Sequence, residues 1–234
     1  MDKYKSLKQE AYEANMQLPE LGLVIYTFGN VSAIDRRSGV FAIKPSGVPY
    51  DELNWRDLVV MDVDGQTVEG KLRPSSDAAT HAVLYRSFEF AGGIAHTHSA
   101  YAASWAQTGK DVPVYGTTHA DHLACDVPCT EVMSDEKING DYERETGRQI
   151  VERFERGQLD PAKVGMVLVA AHGPFTWSAN AAKAVYNSRV LEEICKMALF
   201  TRQLDGSVKR IKNSLLRKHY ERKHGANAYY GQNR

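Results

Sequence analysis

The 234-residue chain carries 29 lysines and arginines against 29 aspartates and glutamates, so its formal net charge at pH 7 is zero. Proteins that bind nucleic acid normally carry a basic surplus or patch, and this balance argues against that class. Hydrophobic residues make up 43% of the chain, which is enough to bury a core and excludes global disorder.

The sequence shows no feature that directs a chain to a membrane or to an oxidising compartment. No apolar run approaches the roughly 20 residues of a membrane helix, and residues 1–5 lack the apolar core of a signal peptide. Three cysteines, Cys125, Cys129 and Cys195, do not make a disulfide framework. Since no repeat or linker interrupts the chain, we expect one domain over residues 1–234, located in the cytoplasm.

In chain order, the hydrophobic pattern predicts an irregular succession of helices and strands. Apolar residues spaced three and four apart predict an opening helix over 4–18, which Pro19 and Gly22 end. The predicted strands cover residues 23–28, 40–43, 58–63, 67–69, 93–98 and 164–171. The later predicted helices cover about 76–88, 101–107, 142–156 and 181–204, the first of them capped by Ser75 or Ser76. Strands in hairpins together with strands between helices indicate a mixed sheet covered by helices.

His96 and His98 are the first candidates for metal binding. They lie two apart in the predicted strand 93–98, so both side chains leave the same face with Cα atoms roughly 6–7 Å apart. Two imidazoles at this spacing can bind one cation at about 2.0–2.1 Å per Zn–N bond. Two solvated histidines on a polar face are an alternative that this triplet alone leaves open.

His172 and Asp77 extend this candidate ligand set. His172 closes the apolar strand 164–171 and precedes Gly173 and Pro174, which we expect to break the strand beside a cleft. Asp77 follows the serine pair. Three imidazoles and a carboxylate suit Zn²⁺ or Mn²⁺. A hydrogen-bonded core histidine is the commoner role for a residue placed like His172.

Two short segments have the composition of a phosphate site. Lys44-Pro45-Ser46-Gly47 follows a predicted strand and offers an ammonium, a hydroxyl and accessible backbone N–H groups. Pro74-Ser75-Ser76-Asp77 offers two hydroxyls at a predicted helix N-terminus, which favours an anion. Turns and helix caps use the same residues without a ligand. No P-loop or dinucleotide-binding motif occurs, so nucleotide cofactors have no support.

The second half of the chain carries a further group of acid–base residues. Residues 117–122, Thr-Thr-His-Ala-Asp-His, suit proton transfer or, alternatively, a polar helix start. Cys125 and Cys129 lack a second pair to complete a zinc site, so we interpret them as buried or incidental thiols. The basic stretch 209–223 fits a solvated helix face, whereas the aromatic and basic composition of the tail over 218–231 indicates docking on its own subunit or on a neighbour.

Seven motifs occur in the order in which one family of enzymes carries them. They are Gly29-Asn30-Val31-Ser32, Lys44-Pro45-Ser46-Gly47, Pro74-Ser75-Ser76-Asp77, His96-Thr97-His98, Gly116-Thr117-Thr118-His119-Ala120-Asp121, His172-Gly173-Pro174-Phe175, and Lys223-His224-Gly225 followed by Tyr229-Tyr230-Gly231. From about Tyr4 to Gln232 the chain therefore resembles the class II aldolase/adducin family. The Thr-Thr-His-Ala-Asp block and the Ala-Tyr-Tyr-Gly tail resemble its L-ribulose-5-phosphate 4-epimerase branch.

The resemblance implies an α/β fold with a mostly antiparallel central β-sheet flanked by α-helices, assembled as a ring of four subunits with sites at their interfaces. It implies one divalent metal per subunit, usually zinc with manganese or cobalt as alternatives, held by Asp77, His96, His98 and His172. The residues implied around the substrate phosphate are Gly29, Asn30, Lys44, Ser46, Gly47, Ser75 and Ser76.

The resemblance also implies an acid–base pair. Asp121 and Tyr230 match that pair, and Tyr230 is expected to reach into a neighbouring subunit's site. His122 departs from the pattern, because an aromatic residue is expected there. It could change the proton affinity of Asp121.

The implied activity converts L-ribulose 5-phosphate to D-xylulose 5-phosphate by inversion at C4. Because the carbonyl is at C2, the C4 hydrogen is not acidic and simple deprotonation cannot invert this carbon. A metal at the C2 carbonyl and C3 hydroxyl would instead stabilise the enediolate left when the C3–C4 bond breaks. Glycolaldehyde phosphate would then rotate and be attacked on its other face, while Asp121 and Tyr230 exchange the C4-hydroxyl proton.

Two other functions occur within the family. Class II aldolases such as L-fuculose-phosphate aldolase run the same cleavage and release the aldehyde. In those enzymes a glutamate tends to occupy the position of Asp77 and acts as the base, so the shorter Asp77 favours the epimerase. Adducin-like members are non-catalytic interaction modules expected to lack the metal histidines, which this chain has.

Overall fold

Seven strands form the centre of the molecule. A computed structural model of the chain describes residues 3–226 and 228–230. The strands are β1 (Asn30–Asp35), β2 (Val40–Ile43), β3 (Val59–Asp62), β4 (Thr67–Glu69), β5 (Gly93–His96), β6 (Met166–Val169) and β7 (Gly173–Ser178). Their order in the sheet is β4-β3-β2-β1-β5-β7-β6. Every pair of neighbouring strands is antiparallel.

The antiparallel pairing decides between two sequence-based expectations. A mixed sheet, predicted from the succession of elements, is wrong. The mostly antiparallel sheet implied by the family resemblance is confirmed. Strand β6 does run parallel to β5, as a connection through helices predicts, but β7 lies between the two and is antiparallel to both, so no two neighbouring strands are parallel.

Eight helices surround this sheet in the described residues. They are α1 (Lys5–Glu20), α2 (Ala78–Ser87), α3 (Ala100–Gln107), α4 (Thr117–Ala120), α5 (Asp135–Asn139), α6 (Tyr142–Arg156), α7 (Ala181–Leu204) and α8 (Asn213–His224). A single turn of 3₁₀-helix covers Trp55–Asp57. Among the described helices, none is long and apolar enough to cross a membrane.

Side chains that alternate along each strand divide the core between the two faces of the sheet. Val40 and Ala42 of β2 pack with residues of α1 and the start of α7. Phe41 and Ile43 of the same strand pack with residues of α2, α3 and α6 on the other face. This is the period of two expected of a strand buried on both faces, and it leaves the strand ends free to carry polar side chains.

Several predicted boundaries coincide with the structure and others do not. The segments 40–43, 67–69, 142–156 and 181–204 are the elements predicted. The predicted strand 23–28 is wrong, because the chain turns there to bring Gly29 against β5. Gly29 has φ +76°, and a Cβ on it would lie 2.6 Å from Val24 Cγ1 and 3.0 Å from the His96 carbonyl oxygen. Pro19 lies inside the last turn of α1 rather than ending it.

The segments around the candidate ligands also differ from prediction. Helix α2 begins at Ala78, so Asp77 itself holds the N-cap position and neither serine caps the helix. Strand β5 ends at His96, and His98 lies beyond it. Gly173 and Pro174 open β7 rather than breaking a strand, and Pro174 is paired there with Leu168 of β6. His172 therefore lies in the tight connection between two strands.

Candidate metal centre and active site

Three imidazoles meet at the end of two interior strands of the sheet, where β5 ends and β7 begins. One ligand nitrogen from each of His96, His98 and His172 lies within 4.8 Å of the other two. The Nε2 atoms of His96 and His98 are 3.0 Å apart. The geometric argument of two histidines on one strand face is wrong, since His98 has left the strand, but the turn after His96 still brings the two rings together.

The ring of His96 is held in place from two sides. Its Nδ1 lies 2.9 Å from the carbonyl oxygen of Pro174, so Nδ1–H donates there and Nε2 is the nitrogen that faces the cluster. The ring also stacks on Phe175, with centroids 4.2 Å apart and an interplanar angle of 18°. An imidazole fixed in this tautomer is typical of a metal ligand.

Asp77 lies beside the three histidines. Its Oδ2 is 3.9 Å from His96 Nε2, somewhat longer than the roughly 3.4 Å that separates two ligands of one tetrahedral zinc ion. The Asn30 amide donates to the same Oδ2 at 2.7 Å and to Ser75 Oγ at 3.0 Å. The amide of Asn30 thus ties the carboxylate to the serine-rich segment.

The protonation of these groups suits a divalent cation. Burial, reinforced by His96, lowers the pKa of His172 to about 4 and also lowers the pKa of His98. Burial would raise the pKa of Asp77, but His96 and other neighbouring imidazoles outweigh it and lower that pKa below its ordinary value. Metal binds to neutral imidazoles and ionised carboxylates, and burial favours the neutral form of His98 and His172. The donor set of three imidazoles and a carboxylate fits Zn²⁺ or Mn²⁺.

A cavity of about 300 Å³ opens next to this cluster, and its lining joins both predicted phosphate segments to three of the candidate ligands. The residues that line it are Thr27, Phe28, Gly29, Asn30, Lys44, Pro45, Ser46, Gly47, Ser75, Ser76, Asp77, His96 and His98. The two segments are held together by a bridge between Pro45 and Pro74 and by the Ser75 amide, which donates to the Lys44 carbonyl at 3.0 Å.

Lys44 brings a buried positive charge to this cavity. The residue is only 1% exposed, its Nζ donates to the Thr27 carbonyl at 3.3 Å, and it lies 4.9 Å from the centre of the Tyr50 ring. Burial lowers the pKa of Lys44 to about 8, so the amine remains mostly charged at pH 7. No carboxylate pairs with it among the described residues. A buried ammonium without an anionic partner is suited to bind an anion.

Asp121 lies at the end of α4, where side chains of α8 surround it. Arg222 donates to both carboxylate oxygens at 2.8 and 2.9 Å, and His219 Nδ1 lies 2.9 Å from Oδ1. Lys223 Nζ lies 3.5 Å from Oδ2. Burial would raise the pKa of Asp121, but the hydrogen bonds from Arg222 and His219 outweigh it and lower that pKa to about 2.

Tyr230 lies close to the same cations. The Arg222 guanidinium is 5.0 Å and the Lys223 ammonium 4.4 Å from the centre of its ring. Asp121 and Tyr230 are therefore brought together within one chain by their shared contacts with α8. The last residue of the motif, Gly231, lies outside the described residues.

Neither Asp121 nor Tyr230 lines the cavity beside the histidines. Asp121 borders a different cavity of about 380 Å³, which is also lined by Trp177 and Ser178 at the far end of β7. Ser178 is four residues from Pro174, or roughly 13 Å along the strand. The candidate acid–base pair and the candidate metal ligands of one chain are thus separate.

His122 does not hydrogen-bond to Asp121. Its Nδ1 lies 2.9 Å from the Thr118 carbonyl oxygen and its Nε2 lies 3.0 Å from the Tyr186 hydroxyl. The groups that lower the pKa of Asp121 belong to α8. Burial lowers the pKa of His122 and Asp121 opposes this shift, so the two residues do interact electrostatically. The expectation that His122 changes the proton affinity of Asp121 stays a prediction.

Comparison with known proteins identifies the family of the chain. Residues 9–199 match the family described as the class II aldolase and adducin N-terminal domain. The chain belongs to the class II aldolase/adducin family. Its fold is correspondingly similar to that of an L-fuculose 1-phosphate aldolase, with a TM-score of 0.77 and 25% identity over 93% of this chain and 95% of that one.

The sequence is more similar to curated epimerases. It is 48% identical over 228 residues to the L-ribulose-5-phosphate 4-epimerase UlaF of Salmonella paratyphi B, covering 97% of this chain and 99% of that protein. It is 49% identical over the same length to the protein of that name from Salmonella choleraesuis, with the same coverage.

Some residues of these sites were not singled out from the sequence. Arg222 is the main partner of Asp121, and Tyr142 contacts His172. A signal for the first existed, because His219, Arg222 and Lys223 are spaced three and four apart and so share one face of a helix. The basic pattern of 209–223 favours a solvated face, but α8 packs on α4 and turns this face towards a carboxylate, in agreement with the docking predicted for the tail that begins at Lys218. No sequence signal separates Tyr142 from an ordinary aromatic residue at a helix start.

Proposed function

We propose that this chain is a metal-dependent epimerase that inverts C4 of L-ribulose 5-phosphate to give D-xylulose 5-phosphate. The observation that carries the proposal is the single cavity lined by a buried lysine, three serines and three candidate metal ligands. The lysine and the serines of this cavity can bind the phosphate at one end of a sugar phosphate, and a metal held by the three ligands would bind sugar oxygens at the other end. The similarity to L-ribulose-5-phosphate 4-epimerases over nearly the whole chain supports this substrate.

Asp77, His96, His98 and His172 would hold the divalent metal, which we assign as zinc with manganese and cobalt as alternatives. The three imidazoles already face one another and the carboxylate lies beside them. Bound there, the cation supplies Lewis-acid stabilisation of the negative charge that develops on the C2 and C3 oxygens of the sugar.

The phosphate would be held by the lysine and serine segments while the other end of the molecule reacts. The residues assigned to it are Gly29, Asn30, Lys44, Ser46, Gly47, Ser75 and Ser76. Breaking the C3–C4 bond leaves glycolaldehyde phosphate in the cavity, and the fixed phosphate lets its aldehyde carbon turn over without leaving. Attack on the opposite face then gives the inverted centre.

Asp121 and Tyr230 would handle the proton of the C4 hydroxyl. The carboxylate of Asp121 is ionised and oriented by Arg222 and His219, so it can accept that proton, and the Tyr230 hydroxyl can return one. Because these two residues line no part of the histidine cavity in their own chain, a neighbouring chain must supply them. We propose a ring of four subunits in the cytoplasm, with sites at the interfaces.

A class II aldolase is the second candidate, favoured by the structural similarity to L-fuculose 1-phosphate aldolase. It would use the same metal and phosphate groups and release the aldehyde. Release of the two separate cleavage fragments in place of D-xylulose 5-phosphate would identify an aldolase.

Replacing Lys44 by methionine should weaken use of the phosphorylated sugar. A charge-assisted hydrogen bond is worth roughly 1.5–3 kcal/mol, so kcat/KM for L-ribulose 5-phosphate should fall by about 10–100-fold. Ser75→Ala should lower it less, because a neutral donor is lost. Lys183→Met removes an exposed lysine of α7 and is the matched control. Comparable kcat/KM values for L-ribulose and its 5-phosphate in the wild type would contradict the phosphate assignment.

A further inference from the structure

Tyr142 contacts a candidate metal ligand from outside the cluster. It is the first residue of α6, and its hydroxyl lies 3.3 Å from Nδ1 of His172. The two rings have centroids 6.1 Å apart. Within the described residues, no other hydrogen bond is made by the ring of His172.

The packing of α6 against α2 fixes the position of Tyr142. Thr80 Oγ1 of α2 donates to the Glu143 carbonyl at 2.6 Å, next to Tyr142 in the first turn of α6. Gly147, one turn later, allows close approach, because a Cβ there would lie 2.7 Å from Val83 Cβ and 3.1 Å from the Thr80 carbonyl oxygen. The helix that follows Asp77 therefore also positions the phenol that contacts His172.

The contact selects one tautomer of His172. With Nδ1 facing the phenol, Nε2 is the ring nitrogen left for a metal. Nε2 presents a lone pair only when the hydrogen is on Nδ1, which then donates to the Tyr142 oxygen. His96 obtains the same constraint from the Pro174 carbonyl. The two histidines are thus oriented by different means, one by backbone and one by a side chain.

We propose that Tyr142 is a positioning residue of the metal centre, which fixes the ring and tautomer of His172 through the Nδ1–H···O hydrogen bond. This role rests on the proposed function in one respect: it requires that His172 is a metal ligand. Partners of this kind typically change metal affinity by about 10–100-fold when removed. Tyr142→Phe removes the hydroxyl and keeps the ring, so packing at the start of α6 is preserved.

The test measures metal affinity without turnover. Apo-protein prepared with a chelator is titrated with Co²⁺ in competition with a chromophoric chelator, and the dissociation constants of the wild type and Tyr142→Phe are compared. The matched control is Tyr186→Phe, which removes another phenol–imidazole contact, 3.0 Å long, at His122. Circular dichroism of the apo-proteins reports whether each variant is folded.

We expect Tyr142→Phe to bind Co²⁺ about 10–100-fold more weakly and Tyr186→Phe to bind it like the wild type. Equal affinity of Tyr142→Phe and the wild type would overturn the role of Tyr142 and leave the metal centre standing. Equal weakening by both variants would also overturn it, since the effect would then not be specific to His172. Wild-type protein that binds no Co²⁺ would contradict the metal centre itself.

Discussion

Replacing His98 by asparagine should remove the metal from the protein and lower kcat by about 10³-fold or more. Lewis-acid stabilisation is worth several kcal/mol in the transition state, and each 1.36 kcal/mol is a factor of ten in rate. His98 is the most exposed of the three clustered imidazoles, so its loss should leave the fold intact. The double variant His96→Asn, His98→Asn should be inactive at any metal concentration.

Metal content by elemental analysis, measured beside activity, checks this expectation. His122→Asn is the control, since His122 lies outside the cluster and, within residues 3–226 and 228–230, its ring hydrogen-bonds to Thr118 and Tyr186 alone. It should retain the wild-type metal content. Active wild-type protein without metal, or a double variant with full activity, would contradict the assignment.

Mixing two inactive variants should restore activity only when they are defective in different parts of the site. We expect Asp121→Asn and Tyr230→Phe each to lower turnover by roughly 10²–10⁴-fold, as the loss of a proton-transfer group does. Asp121 and Tyr230 share contacts with Arg222 and Lys223 in one chain. If the sites lie at subunit interfaces as proposed, one chain should therefore supply both residues to its neighbour's metal centre.

Equal mixtures of His98→Asn and Asp121→Asn chains should regain about a quarter of the sites. In a ring with random order, half of the chains offer intact histidines and half of their neighbours offer an intact Asp121. Asp121→Asn mixed with Tyr230→Phe should regain almost none, because no chain carries both groups. Recovery in the second mixture and not the first would show that the two residues come from different chains. Hydrogen exchange across α8 checks that Asp121→Asn leaves this helix docked.

The residues of the candidate metal centre could be picked out from the sequence because each stands in a short motif. Histidines two apart after an apolar strand, a histidine before Gly-Pro, and Asp77 after two serines are all visible as short motifs. The details of their geometry could not be predicted, since they depend on where strands end. β5 ends at His96, and β7 begins at Gly173 because Pro174 can be paired there without donating a hydrogen bond.

Contacts between distant segments were harder to predict. Asp121 is bonded to residues 98 and 101 positions later in the chain, and nothing near Asp121 in the sequence indicates which cations it meets. For the same reason the basic pattern of 209–223 favours a solvated face, although the aromatic and basic composition of 218–231 predicts docking. The contact of Tyr142 with His172 depends on how α6 packs against α2, where Gly147 allows a close approach, and this packing is not visible in the local sequence.

The most direct test of the proposed function is an assay of purified protein with L-ribulose 5-phosphate, in which all sugar phosphates are quantified with and without a chelator. We predict D-xylulose 5-phosphate as the product, loss of its formation with the chelator, and recovery when Zn²⁺ is added back. Accumulation of glycolaldehyde phosphate and dihydroxyacetone without D-xylulose 5-phosphate would contradict the epimerase and identify an aldolase. Product formation that the chelator does not affect, in protein shown to be free of metal, would contradict the metal-dependent cleavage of the C3–C4 bond.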